Sequence, residues 1–169
     1  MKGIIIDIET LSNTSNAAIL EIGAIYFEGF EVKDKFEEKI SLQSCLDVGL
    51  EINQSTLMWW LKQKRELSEL LNTYNELSYV LHKFSHWYKP YSDVEYWANS
   101  PSFDIVILNN AYSKISLESP FKFWLERDIR TIKSFVDVEI KNNHYAIDDC
   151  LNELEVLKKF YETYRANIQ

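Results

Sequence analysis

The chain has 169 residues, 46% of them hydrophobic and 14% aromatic, with 26 acidic against 18 basic side chains and a formal charge of -8. That is enough apolar material for one folded domain, expected over 1–169, and it excludes a mainly disordered chain. The acid excess excludes broad electrostatic gripping of a nucleic-acid backbone, which draws on clustered Lys and Arg, but leaves room for an enzyme that touches only a strand end.

Taken in chain order, Gly3 to Glu9 reads as a strand: Ile4, Ile5 and Ile6 are β-branched, and the alternation sets Asp7 and Glu9 on one face. Ala17 to Phe27 and Phe30 to Ile40 read as two further strands, joined at Glu28-Gly29 into an antiparallel meander. Helical apolar spacing follows over Asn53 to Lys62, Leu67 to Leu71 and Tyr74 to Trp87, the last closed by Pro90. The acidic run Glu66 to Glu76 reads as a solvated face. Val94 to Ala98 predicts a short buried strand, and Phe103 to Tyr112 a helix entered through the turn residues Asn99, Ser100 and Pro101. Asp128 to Thr131 opens another ordered segment, helical through Val136, and residues 146 to 164 carry a long amphipathic helix. Strands first, then alternating helix and strand, predict an α/β fold with a mixed sheet flanked by helices.

Cys45 and Cys150 are far apart and form no redox or metal pair, which suits a reducing cytoplasm, or the host cytoplasm if the chain is phage-encoded. Nothing after Met1 resembles a secretory signal, and no stretch approaches the roughly 20 apolar residues that span a bilayer, so no membrane partner is expected.

The chemistry-bearing residues are scattered: Asp7 and Glu9 in Ile-Asp-Ile-Glu-Thr, Asp104 in Ser-Phe-Asp, and His144 with Asp149 in His-Tyr-Ala-Ile-Asp-Asp. Phosphodiester hydrolysis needs a nucleophilic water, a shielded phosphate and a stabilised leaving oxygen, which two divalent ions roughly 4 Å apart can supply. Mg or Mn takes oxygen ligands, so four carboxylates suffice. Asp7 and Glu9 on one face would each raise the other's pKa without a cation between them. Asp104, in a first helical turn, is held ionised by the helix dipole. His144 changes charge near neutral pH and precedes the helix that carries Asp149, which suits a general base.

These motifs resemble those of the DEDD exonucleases in the DnaQ-like, ribonuclease H-like superfamily, in the DEDDh subgroup. Ile-Asp-Ile-Glu-Thr is similar to the first motif and Asn99-Ser100-Pro101-Ser102-Phe103-Asp104 to the second. His144-Tyr145-Ala146-Ile147-Asp148-Asp149 is similar to the third, with the histidine five residues before the last aspartate. Trp59-Trp60, Trp97-Ala98-Asn99 and Phe123 to Thr131 look like the small phage exonuclease A-like branch, and the likeness runs from about residue 3 to about residue 160. It implies a ribonuclease H-like sheet, antiparallel over its first three strands and then parallel, and a 3′-to-5′ exonuclease using two Mg2+ or Mn2+ ions. Asp7 would bridge them, Glu9 and Asp149 would serve one and Asp104 the other, with His144 activating the attacking water. Nucleoside 5′-monophosphates would leave single-stranded or unpaired 3′ ends of DNA or RNA. Thr10 and Leu11 would line the terminal nucleotide pocket by the same likeness, with Asn99 and Phe103 of the second motif also near substrate. Ala98 and Ser100 depart from the small glycines frequent in this branch.

Arg127 and Arg130 can hold a phosphate, or form structural ion pairs around Asp128. Trp59, Trp60 and Trp97 can stack on bases, although core packing is the default for aromatics. His82 and His86 lie four apart but have no third ligand, and Asp148 should face away from Asp149. A homodimer fits this size of exonuclease. Two other readings compete: a non-catalytic nucleic-acid or protein-binding module on the same fold, which would gain no stability from Mn, and a ribonuclease H-type endonuclease, which would release oligonucleotides.

Overall fold

The computed structural model describes residues 1–140 and 143–164; the expected domain 1–169 therefore includes positions 141–142 and 165–169 that lie outside the described residues. A five-stranded sheet is built from β1 (Lys2–Thr10), β2 (Ile19–Glu28), β3 (Glu31–Lys39), β4 (Glu95–Ala98) and β5 (Glu126–Asp128), in the order β3-β2-β1-β4-β5. The first three pair antiparallel, and β4 and β5 then join in parallel, the mixed ribonuclease H-like sheet that the motifs implied.

The β2–β3 hairpin closes through Gly29 and Phe30, both at positive φ (58° and 67°), with Glu28 opposite Glu31. That geometry matches the right-handed strand twist. A bulky residue there is strained, and Phe30 is held by ring contacts to Phe27 at 6.2 Å and Tyr161 at 5.7 Å.

Alternation along β1 and β2 splits the core into two layers. Ile4, Ile6, Ile8, Ile22 and Ala24 face one way and pack with Leu81, Phe84, Leu108 and Tyr112 of α4 (Leu77–Tyr88) and α5 (Asp104–Lys114). Ile5, Ile25 and Phe27 face the other way, onto Cys150, Leu154 and Leu157 of α7 (Ala146–Tyr164) and Ile129 of α6 (Ile129–Lys133). Asp7 and Glu9 belong to this second face, under the start of α7. A smaller cluster of Leu11, Leu20, Trp60 and Leu70 lies beneath α2 (Gln54–Trp60) and α3 (Leu67–Leu71).

Several boundaries moved. The second strand begins at Ile19, because Ala17 only bridges to Glu51. The helix expected from Tyr74 begins at Leu77 and stops at Tyr88, with Pro90 in the 3-10 turn that follows. The helix expected through Val136 ends at Lys133, and its start is preceded by β5, a strand that periodicity did not suggest. Glu-Arg-Asp has no apolar alternation and is a strand only because β4 offers a free edge. Likewise α1 (Leu42–Asp47) is too short to show a helical stripe.

Gly23 sits opposite Asp7 where α7 crosses the sheet. A Cβ there would lie 2.5 Å from the Ala146 carbonyl carbon and 2.7 Å from the Ile147 nitrogen, both backbone atoms. Gly23→Ala should therefore lift the start of α7 and cost about 1–3 kcal/mol, read from denaturant unfolding. Because His144 and Asp149 flank that contact, stabilisation by Mn should fall as well; an unchanged midpoint would contradict the close packing.

Candidate active site

The carboxyl ends of the parallel strands β1 and β4 point to one place, where open α/β sheets commonly carry their sites. Asp7 and Glu9 rise from β1, and Asp104 opens α5 beyond β4. His144 and Asp149 come from the start of α7 across the sheet. One ligand atom each from Glu9, His144 and Asp149 lies within 4.8 Å of the others. A cleft of about 160 Å³ is lined by Asp7, Asn99, Lys133, His144, Asp149 and Glu153, among others. Glu9, His144, Asp149 and Asp7 are thus brought together, and Asp104 is buried close enough for its charge to act on Asp7 and Glu9.

The electrostatics are those of crowded, dehydrated acids. Burial pushes Glu9 up to about 8, with Asp149 and Glu21 adding to the rise and Arg65 opposing it. Burial also lifts Asp104 to about 7, although the Ile8 and Asp104 backbone N–H groups and Arg130 favour its ionised form. Asp7 is raised well above the carboxylate range by burial, then by Asp104, Glu153, Glu9 and Asp149. Asp149 is raised too, chiefly by burial. Such groups repel one another when ionised and would be relieved by a cation.

A pH dependence follows with a definite sign. In the unfolded chain these carboxyls return to ordinary values of 3.8 and 4.5, so between there and about 8 the folded form holds more protons. Their contribution to stability is complete below the unfolded values and is lost as pH rises through about 7 and 8. Melting in chelator should show stability eroding over that range, and Mn should restore it with release of protons. A metal-free protein that grows more stable from about pH 5 to 8 would contradict this arrangement.

His144 has a backbone φ of +59°, a conformation that non-glycine residues hold only when their surroundings impose it. Here the surroundings are an ion pair. Arg65 donates to the two Glu21 carboxylate oxygens at 2.7 and 2.8 Å, with side-chain exposures of 1% and 0%. The same guanidinium donates to the His144 carbonyl and lies 3.9 Å from the Tyr145 ring centroid. Glu21 also accepts from the Ala146 N–H at 3.1 Å. On its other side the imidazole meets the Trp59 ring edge-on at 4.8 Å and Trp60 at 5.8 Å. Neither Arg65 nor Glu21 was singled out from sequence. Glu21 lies opposite Glu9 on β2, but nothing in a run of apolar residues says which buried glutamate has a partner 44 positions away.

Other expected contacts scatter. Asn99 lines the cleft beside Glu153, and Arg130 donates to the Asn99 carbonyl at 3.1 Å, so both stand at the site. Phe103 is half-buried, packed against the α4–α5 core, and caps α5. The Leu11 side chain is 1% exposed inside the cluster with Trp60, and its N–H donates to Ala18, so it is a core residue in place of the expected pocket wall. Thr10 is also turned inward: its hydroxyl donates to the Ser12 carbonyl, and its own carbonyl accepts from the Trp60 indole. Arg127 is engaged with Glu95 at 2.6 Å and with the Trp124 and Glu126 carbonyls, the structural alternative for this residue. Trp60 and Trp97 are buried, whereas Trp59 is 43% exposed. His82 and His86 are exposed, and Asp148 accepts from Asn143, away from the acids.

The charged residues Lys133 and Glu153 of the cleft were missed, as were Ile140 and Asn152. Lys133 stands one turn after Arg130 on α6, hidden by the expectation of a longer helix. Glu153 is 4% exposed and sits one turn after Asp149. Its signal was present, since it falls three residues after Cys150 and four before Leu157, inside the buried stripe of α7.

Among the described residues, no helix is long and apolar enough to cross a membrane. Among solved structures, the chain is similar to cell-death related nuclease 4 (TM-score 0.61, 12% identity, 96% of this chain and 64% of that one). It is also similar to E. coli ExoI in a zinc-bound complex with ssDNA (TM-score 0.66, 11% identity, 98% and 41%). A 3′-exonuclease recognising a histone mRNA stem-loop gives a TM-score of 0.60 at 11% identity over 96% and 82%. The chain spans less than two thirds of the first two, and at these identities they show a shared fold. Among curated proteins it is 28% identical over 159 residues to an exodeoxyribonuclease of Enterobacteria phage T4, covering 78% of this chain and 70% of that protein. The model of the 3′-5′ exoribonuclease Rv2179c-like domain matches residues 2–161. With its mixed sheet and its acids gathered at the ends of β1 and β4, the chain belongs to that family of 3′-5′ exonucleases.

Proposed function

We propose that this chain removes nucleotides one at a time from single-stranded or unpaired 3′ ends of DNA or RNA, with two divalent cations and His144 as general base. The observation that carries the reading is the convergence of Glu9, His144 and Asp149 within 4.8 Å, in a cleft shared with Asp7. The donor set fits Mg2+ or Mn2+: it is all carboxylate apart from one imidazole, it is dehydrated, and its acids repel one another in the absence of positive charge. Asp7, Glu9, Asp104 and Asp149 would hold the ions, which when bound neutralise the phosphate and stabilise the leaving oxygen.

The chain's own residues then have distinct tasks. His144, pinned through its carbonyl by Arg65, presents its ring at the cleft to take the proton of the attacking water. Arg130 and Lys133, one turn apart on the exposed side of α6, supply a short positive rim for the phosphates beyond the scissile bond. Two cations on a chain of net charge -8 give a weak grip, suited to an enzyme that releases its product each cycle. Half-exposed Trp59 offers a stacking face beside His144 for the terminal base. Both cysteines are buried and free, which supports work in a reducing cytoplasm.

The solved neighbours include complexes with single-stranded DNA and with a histone mRNA stem-loop, and the curated relative is an exodeoxyribonuclease. Those names support a nucleic-acid end as substrate without choosing its sugar. Ladders from 3′- and 5′-labelled DNA and RNA in Mg or Mn test the reading. Mononucleotides should accumulate while 5′-labelled strands shorten stepwise. Oligonucleotides from the outset would mean internal cutting, and untouched 3′ ends on both polymers would overturn the proposal.

A further inference from the structure

Glu153 is buried to 4% exposure, and its Oε2 has no hydrogen-bond partner among the described residues. The Asn99 side chain lies near enough to favour the ionised form of the same carboxyl group, and Glu153 lines the cleft with Asp7 and Asp149. It stands four residues after Asp149, so both acids project from one face of α7. Like charges at that spacing disfavour the helix, and a buried carboxylate oxygen without a partner is costly. An apolar side chain would fill this position without either penalty. Lys133 on the rim of the same cleft offsets part of the cost, and a divalent cation beside the unpartnered oxygen would offset the rest.

We infer that Glu153 is a fifth carboxylate ligand of the divalent-cation site, in the cleft it shares with Asp7 and Asp149. This rests on the metal-dependent reading above and extends its ligand set by a residue outside the three motifs.

Calorimetric titration of Mn2+ into chelator-stripped protein tests the assignment, comparing wild type with Glu153→Gln, which keeps the shape. The variant should melt no lower than wild type without metal, yet lose one binding step or weaken it about tenfold or more. Identical stoichiometry and affinity would overturn the proposal. A second measurement uses the unaltered chain: with side-chain 13C-carboxyl glutamate, the resonance absent from Glu153→Asp should shift on Mg2+ saturation, and a stationary resonance would overturn the proposal even if the Gln variant fails to fold. Absence of exonuclease activity alongside Glu153-dependent Mn2+ uptake would refute the catalytic reading alone. Normal exonuclease activity with uptake indifferent to Glu153 would refute this assignment alone.

Discussion

Asp7→Asn should lower turnover by roughly 10³-fold or more while raising the melting temperature of the metal-free protein. The two effects have one cause. Asp7 stands amid Asp104, Glu153, Glu9 and Asp149, and burial with their combined field raises its pKa well above the carboxylate range. At neutral pH the metal-free fold must hold Asp7 protonated, whereas the unfolded chain ionises it freely; Asn removes that cost, so the fold gains. The same removal takes away an oxygen ligand at the centre of the set, and losing several kcal/mol of charge stabilisation in the transition state gives that drop in rate. Melting curves in chelator and in Mn separate the effects. Wild type should gain from Mn and the variant should gain little. Retained turnover in Asp7→Asn would remove Asp7 from the chemistry, and a lowered metal-free melting temperature would mean that the acids are satisfied without a cation.

Arg65→Met carries the largest expected cost in stability, about 3–5 kcal/mol, because it leaves the Glu21 carboxylate buried and unpaired. Glu21 is wholly enclosed and its two oxygens are both held by the guanidinium. The lost bond to the His144 carbonyl should also free the positive-φ residue before α7, so the surviving folded protein should be slow. The double variant Glu21→Leu with Arg65→Met distinguishes the two roles. Filling the site with apolar groups should recover much of the stability, since a buried ion pair is often replaceable by hydrophobic packing. Activity should stay low, because neither new side chain can hold the His144 carbonyl. Recovery of both would show that the pair supports the fold without positioning the histidine.

The two experiments bear on different levels of organisation, and the sequence was unequal at those levels. Asp7 was legible because its information is local. Alternation over a few residues of β1 puts Asp7 and Glu9 on one face and Ile8, between them, on the other. His144 and Asp149 were legible through the likeness of their segment to a known family's third motif, at the start of a strongly amphipathic helix. Asp104 was legible as a first-turn acid after a turn-rich segment.

Arg65 was not legible, and the reason is geometric. It lies between short helices in a segment whose apolar pattern is weak, and its partners come from β2 and from the loop before α7. A charged residue in such a segment reads as solvated until the tertiary fold encloses it. Leu11 and Arg127 show the converse. Both looked available for substrate, yet the fold turns Leu11 into the cluster beneath α2 and ties Arg127 to Glu95. Local sequence gives a side chain its chemistry but not its neighbours.

By itself, then, the sequence determined β1 to β4, the longer helices and a mixed sheet, which depend on a period within a few residues, while the likeness of its motifs to a known family picked out the five candidate site residues. Only the tertiary structure decided that β5 exists on the edge of β4, that a buried Arg65–Glu21 pair pins His144, and that Glu153 is a further acid of the cleft. Those outcomes depend on which surfaces burial brings together across 30 or more positions of chain, where dehydration turns ordinary charges into strong and mutually dependent ones.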